Sequence, residues 1–500
     1  MGPVEKVNGI YDFHPGDDDS HMMNVSRMNL NNGDVQRLTN YLFKDPTITL
    51  LNFEYSIGGP AELKMIAEAI RRSSTITSLN VGRNKVGDEG MKILAEALQV
   101  NTSLTHLDVA NINMGVEGLQ VLADLLRRSD CSLASLHVGD KDIEIGSEGG
   151  KILMEALFEN TSITSLNFHS ASLGEEGMWK LRDLLQAKSS IASLHLGDLS
   201  YCDYNEPFAL ADILRDNTSI TTLALEYLYI STKGVQALMA ALLRNTFITS
   251  LKASWVDDEG ERTKMLADVI RGSTLTSLNI SNYLGDAGAV YLAEALRANT
   301  SITSLTLEHN YLFTSGKRAL IEAFQVNSTI TSLRFRPRIL HSSEAKALGR
   351  VLQSTSCSLT CLCLGYIDSD EARKHIAEGL SSNKTLTQLH FSMEEAKPKK
   401  EIMHLVGRNY SLIKCNIKVP GMLYRNQVLE RKKSDKEDDV GWHFMENGEF
   451  IRLGSKTEFP FSAPSILRSW VKKIVLQGCN LTCIPPAIFG LPSLATLDLG

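Results

Sequence analysis

Thr75-Ile76-Thr77-Ser78-Leu79-Asn80-Val81-Gly82-Arg83-Asn84-Lys85-Val86, followed at once by Gly87-Asp88-Glu89-Gly90-Met91-Lys92-Ile93-Leu94-Ala95-Glu96-Ala97-Leu98, holds one complete structural unit. Ile76, Leu79 and Val81 read as inward, while Ser78 and Asn80 alternate outward, as in a half-exposed strand. Met91, Leu94, Ala95 and Leu98 fall at i, i+3, i+4 and i+7, the stripe of an amphipathic helix. Asp88 and Glu89 stand where that helix begins, beside N–H groups without intrahelical partners. The unit reads strand, loop, helix, turn.

Working outward, a leucine returns in the same frame at Leu51, Leu79, Leu107, Leu136, Leu166, Leu194, Leu223, Leu251, Leu278, Leu305, Leu333, Leu362 and Leu389. Met23 and Cys415 hold that place at the two ends, 392 residues apart, or 14 steps averaging 28. A period in this range means a solenoid. Gly115-Val116-Glu117-Gly118, Gly174-Glu175-Glu176-Gly177 and Gly285-Asp286-Ala287-Gly288 repeat the helix start. One unit cannot bury its own apolar face, whereas stacked units share a continuous core and place their strands in one parallel sheet. Helices are wider than strands, so the strands are expected on the inside of a curve, with fifteen units giving an inner arc of about 70 Å.

The strand motif, the G-x-E-G loop, the helix and the 28-residue period resemble the leucine-rich repeats of the ribonuclease-inhibitor type over about residues 20–417. That family includes ribonuclease inhibitor, the Ran GTPase-activating proteins and the sensor arms of nucleotide-binding innate-immune receptors. The resemblance implies an α/β horseshoe, with parallel strands on the concave face and helices on the convex face. Such repeats usually carry Asn or Cys eight residues after the first apolar strand residue, bonded to the backbone of the turn. Asn84 and Asn310 fit, but Ile112, Ala171, Leu228, Val256 and Tyr283 occupy the slot elsewhere, so those loops must satisfy their backbone differently.

The sequence divides into an unstructured tail (1–20), the repeats (21–417), a charged linker with a hairpin insert (418–470) and the start of a second, shorter-period array (471–500). Glu430 to Asp439 is a mixed charge run typical of a solvated linker. Asn447-Gly448 between alternating apolar residues signals a hairpin, expected to close the first array. Val471 and Leu494 are 23 residues apart, and Ile484-Pro485-Pro486-Ala487-Ile488-Phe489-Gly490-Leu491 resembles the convex side of the shorter repeat class. A solenoid end normally carries a polar cap. None is recognisable before Gly500, so the expectation is a longer protein.

A net charge of −7 over 500 residues argues against nonspecific nucleic-acid binding, which needs a basic face. No apolar run reaches membrane-spanning length, and no apolar signal core follows Met1. Eight sparse cysteines do not form a disulfide framework, which fits a reducing, cytoplasmic compartment. Sequons at Asn101, Asn160, Asn217 and Asn299 share one slot between helix and strand. Asparagine's tolerance of the left-handed conformation at a helix end accounts for them there.

No phosphate loop, H-E-x-x-H or G-x-S-x-G occurs, so no catalytic role, cofactor or metal is expected within these residues. Cys357, Cys361 and Cys363 fall short of four metal ligands. His106, His137, His195 and His390 lie on the strand face in different repeats and read as separate surface residues. The partner-binding candidates project from, or just after, the strands: Tyr55, Glu226, Tyr227, Lys252, Trp255, Glu308, His309, Arg334, Arg336 and Tyr366. Trp, Tyr and Arg are the usual interface anchors. Trp255 near Tyr227, with Glu226 and Glu308, is the expected hot spot, and Arg334, Arg336 and Arg338 form a basic rim suited to a carboxylate or phosphate.

The expected function is an intracellular scaffold that binds a partner protein on its concave face. The alternatives are the regulatory or sensing arm of a larger protein, and a GTPase activator of the Ran-directed type. Two repeat classes in succession resemble the Roco-type GTPases and kinases, or receptors with a nucleotide-binding module.

Overall fold

The computed structural model describes residues 22–391 apart from 140–145, 170–172, 188–189, 198–205, 227–230, 255–259, 282–283, 309 and 311. Beyond 391 it describes the strand segments 414–415, 443–444, 450–452, 473–475 and 496–498. The chain forms two compact units, Met1–Tyr283 and Leu284–Gly500.

In the first unit, strands from Met22–Asn24 to Ser277–Ile280 pair in parallel and in chain order, with a helix between each strand and the next. The leucine frame is the register. Met23 faces Leu51, then Leu79, Leu107 and Leu136 follow. The row continues through Leu166, Leu194, Leu223, Leu251 and Leu278. In the second unit Leu305, Leu333, Leu362, Leu389 and Cys415 make the same row. Every leucine of the frame is at most 2% exposed. Each such burial contributes about 1.5–3 kcal/mol, which fixes the register, since a one-residue slip would turn the row to solvent.

Neighbouring repeats are also joined at their helix starts. Asp88 Oδ1 accepts the amides of Gly115 at 2.6 Å and Gly118 at 2.9 Å, so the acidic residue at one helix start caps the next. Asp286 does the same in the second unit, accepting from Phe313 N at 2.8 Å and from the Ser315 hydroxyl. A Cβ at Gly118 would lie 2.6 Å from Asp88 Oδ1 and 2.4 Å from Met114 Cγ, which accounts for the glycine of this motif.

The asparagines between helix and strand act through their side chains. Asn101 is 5% exposed. Its Nδ2 donates to Ile70 O at 2.7 Å and Ser73 O at 2.9 Å of the preceding repeat, while its Oδ1 accepts from Ser103 N and Leu104 N. Asn160 and Asn217 repeat the arrangement with Leu126 O and Leu185 O. This corrects the left-handed explanation: these residues are absent from the positive-φ positions, and Asn299 has φ −78° and ψ 135°. The conserved chemistry of the slot is a buried amide that donates backward and accepts forward.

Asn84 fills the family's turn slot as expected. Its Nδ2 donates to Phe53 O, Val81 O and Gly82 O, and its Oδ1 accepts Ser56 N and Ile57 N, each at 2.8 Å. Where Ile112 replaces it, the side chain is buried and the flanking Asn111 and Asn113 take φ of 56° and 62°. Asn111 has the same positive φ as Arg83 before Asn84, so only the second one, at Asn113, is particular to this loop. Ala171, Leu228, Val256 and Tyr283 lie outside the described residues.

In the second unit His443–Phe444 pairs antiparallel with Phe450–Arg452 across Asn447-Gly448, the hairpin expected there. Phe450–Arg452 runs parallel to Lys473–Val475, and that strand to Thr496–Asp498. The hairpin strands are thus the first two of the second sheet. Among the described residues no helix is long and apolar enough to cross a membrane.

Candidate binding face

Alternation along each strand leaves two outward columns on the face opposite the helices. In the first unit one runs Ser78, His106, Ser135, Ser165, Ser193, Thr222, Ser250 and Ser277. The next runs Asn80, Asp108, His137, Asn167, His195, Ala224, Lys252 and Asn279. Between Ser78 and His195 these side chains line a shallow trough of about 380 Å³. His137 Nδ1 meets Asp108 Oδ2 at 2.8 Å, and its Nε2 has no hydrogen-bond partner.

At one end of the trough sits a charge cluster that no single motif announces. Glu226 is 8% exposed. Its Oε2 lies 2.6 Å from His195 Nε2 and 4.0 Å from His169 Nδ1, and its Oε1 lies 2.6 Å from Lys252 Nζ. The two imidazoles have centroids 5.3 Å apart. Burial pushes the Glu226 carboxyl up, but contacts from His195 and Lys252 outweigh it and hold the group at about 2. His195 is thus part of a cluster rather than the separate surface residue expected. His169 shares its register row with Gly197 and Glu226, and the missing side chain at Gly197 lets it lean across the intervening strand.

The other end carries a ridge. Arg27, Tyr55, Arg83 and Asn111 stand 28 residues apart, and all four have φ between 55° and 61°. The amide of each donates to the following repeat, as Arg83 N does to Ala110 O at 2.7 Å. A non-glycine residue there is uncommon and is held by its surroundings. Tyr55 is 49% exposed. Arg83 lies over its ring at 5.5 Å, donates to its hydroxyl at 3.0 Å and pairs with Glu54 at 3.0 Å. The sequence marks Tyr55; Arg83 becomes visible only when the 28-residue offset is applied to the loop.

In the second unit Glu308 Oε1 accepts both Arg336 at 3.2 Å and Arg334 at 3.5 Å. The basic rim expected to receive a partner's carboxylate already holds one from its own chain, although Arg334 remains about half exposed. Tyr366 is half-buried, and its carbonyl accepts Leu340 N at 2.9 Å. Glu226 and Glu308 belong to different units, and each is tied to its own cations. Tyr227, Trp255 and His309 lie outside the described residues.

A family description, Leucine Rich repeat, matches residues 72–95 and 100–123. A Mus musculus protein, NACHT, LRR and PYD domains-containing protein 4B, is 30% identical over 154 residues, which are 30% of this chain and 18% of that relative. Among solved structures, the leucine-rich repeat-containing protein LegL7 from Legionella pneumophila is 20% identical, covering 55% of this chain and 90% of that one, with a TM-score of 0.38. An internalin from Listeria monocytogenes is 17% identical over 70% of this chain and 82% of that one, with a TM-score of 0.30. Leucine-rich repeats are thus matched in sequence over residues 72–95 and 100–123, and the same leucine row runs in register along each unit.

Proposed function

We propose that the chain is a protein-interaction scaffold whose partner docks on the strand face of the first unit. The observation that carries this reading is the pair of outward columns above the buried leucine row. They present varied polar side chains from a rigid backbone, with Asp108, His137 and His195 lining one trough. A binding surface of this kind works through a few central anchors rather than its whole area. Tyr55, Lys252, Tyr227 and Trp255 are the proposed anchors in this unit, and Arg334, Arg336, Glu308, His309 and Tyr366 are the corresponding candidates in the second. The reading assigns no catalysis to residues 1–500 and places the protein in the cytoplasm, which the unpaired cysteines Cys131, Cys357, Cys361 and Cys363 support.

The test compares partners captured by the full chain with those captured by Asp108→Lys/His137→Glu, on the strand face, and Glu117→Lys, on a helix. Loss of a partner with the first variant alone supports the reading, and Tyr55→Ala or Lys252→Ala should each cost about 2 kcal/mol of binding. Equal loss with the helix variant overturns it.

The mouse relative favours a second reading. Its name carries NACHT and PYD domains beside leucine-rich repeats. On that likeness the chain is the sensing arm of a larger nucleotide-binding signalling protein. Reading the transcript on both sides of these 500 codons decides it: a G-x-x-x-x-G-K-[ST] loop in frame supports the arm, and stop codons close by sink it.

A further inference from the structure

The histidine and carboxylate cluster has a geometry that docking does not require. His169 Nδ1, His195 Nε2 and one Glu226 carboxylate oxygen all lie within 4.8 Å of one another. They come from three consecutive strands, Ser165–His169, Ser193–Gly197 and Thr222–Glu226, joined by backbone pairing. We propose that these three side chains bind a divalent transition-metal ion of the zinc class, with at least one coordination position open toward the strand face. The site shares His195 with the trough and Lys252 with the docking anchors, but metal binding is argued from its own geometry and does not depend on the docking reading.

The donor set is two imidazole nitrogens and one carboxylate oxygen, a combination that suits zinc in sites that keep a fourth position open. Bonds of about 2.0–2.1 Å in a tetrahedron put the donor atoms about 3.3 Å apart. His195 Nε2 and Glu226 Oε2, now 2.6 Å apart, must open slightly, and His169 Nδ1 and Glu226 Oε2, now 4.0 Å apart, must close. Both are shifts of well under 1 Å per atom at side-chain ends. The half-buried rings, 19% and 20% exposed, leave a way in for an ion. Metal binding requires His195 Nε2 without its proton, and any proton held there passes to solvent.

Two features around the ligands fit the site. Lys252 Nζ holds Glu226 Oε1, the oxygen that the histidines do not face, so it fixes the carboxylate while leaving Oε2 toward the rings. Ligating carboxylates characteristically carry such an outer partner. Gly197 provides the space: a Cβ there would lie 2.1 Å from His169 Nδ1. Glycine at this point is what permits His169 to occupy the position next to Glu226.

The experiment titrates the full chain with Zn²⁺ against a chromophoric chelator. The wild type is compared with His169→Gln, His195→Gln, Glu226→Gln and Gly197→Ala, with His106→Gln as a control on the same face. Each of the four cluster variants should weaken one Zn²⁺ site by more than the roughly 10–100-fold that loss of an outer partner costs. His106→Gln should bind like wild type. Gly197→Ala is the telling variant, because it removes no ligand and acts only by displacing His169. In parallel, Co²⁺ added to the unmodified chain should give the intense visible bands of a four-coordinate site that Zn²⁺ abolishes. A wild type that binds Zn²⁺ no better than His169→Gln and His195→Gln, or a Co²⁺ spectrum of the pale six-coordinate kind, overturns the proposal.

Discussion

Asp88 and Gly115 belong to different repeats, yet the carboxylate at one helix start accepts the amide at the next at 2.6 Å. Each helix in such an arrangement is capped from outside itself. Asp88→Ala leaves the amides of Gly115 and Gly118 without their acceptor and should cost about 1–3 kcal/mol. Urea unfolding measures the loss, and hydrogen exchange should show it first in the helix Val116–Leu126. Unchanged protection there would mean that water replaces the carboxylate at no cost.

The second unit hides an ion pair. Lys317 Nζ lies 3.8 Å from Glu344 Oε1, with side chains only 4% and 2% exposed, and donates to Ile339 O at 2.7 Å. Removing one partner strands a buried charge. Lys317→Met should therefore destabilise by about 3–5 kcal/mol, and the double variant Lys317→Met/Glu344→Leu should recover most of it. Chemical denaturation of all three variants checks the pattern; a double variant as unstable as the single one contradicts it.

The sequons supply a third expectation. The amide nitrogens of Asn101, Asn160 and Asn217 are buried and donate to backbone carbonyls. A folded chain passed through a secretory pathway should remain unmodified at these three positions, as peptide mass mapping would show. Asn101→Ala should cost about 1–3 kcal/mol, since it orphans Ser103 N and Leu104 N on one side and Ile70 O on the other. Glycan at Asn101 in folded protein would contradict the buried amide.

An exposed pair gives a pH effect. His341 Nδ1 meets Asp368 Oδ2 at 2.5 Å, with side chains 50% and 32% exposed. Partial burial pushes the Asp368 carboxyl up, but contacts from His341 and Ser369 outweigh it and hold it below its ordinary value. A depressed carboxyl stabilises the fold above its unfolded pKa, and that stability is lost as pH falls through the folded one. Asp368→Asn should therefore cost at most about 1 kcal/mol near neutrality and nothing at low pH. Denaturation midpoints of both chains across the acid range should converge; parallel curves would contradict the assignment.

The fold was legible because one inward leucine returns in every repeat, and Leu51 to Leu278 need only be aligned to read the register. The capping role of the acidic helix starts was half legible: Asp88 was placed correctly, but its partners are 27 and 30 residues away. The asparagine slot was found and given the wrong cause, since spacing reveals a position and not the side chain's acceptors. The metal-type cluster was not legible. His169, His195 and Glu226 are separated by 26 and 31 residues, off the 28-residue beat, and they meet only because Gly197 leaves room between them. A search for glycine interrupting an outward column, rather than for histidines at equal intervals, would have pointed there.

The backward-reaching asparagines also define where the chain is divisible. Asn245 donates to the carbonyl of Asn217, and Asn327 to that of Asn299, each a span of 28 residues. A segment cut from one such asparagine to the next takes with it one strand, one helix and one full set of donors and acceptors. Sequence lengthening or shortening by one such unit leaves the neighbours' bonding unaltered, while the loops absorb the smaller differences between repeats, as the 30 residues from Leu136 to Leu166 and the 27 from Leu251 to Leu278 show. The asparagine is thus the joint at which such a chain grows or shrinks by whole modules.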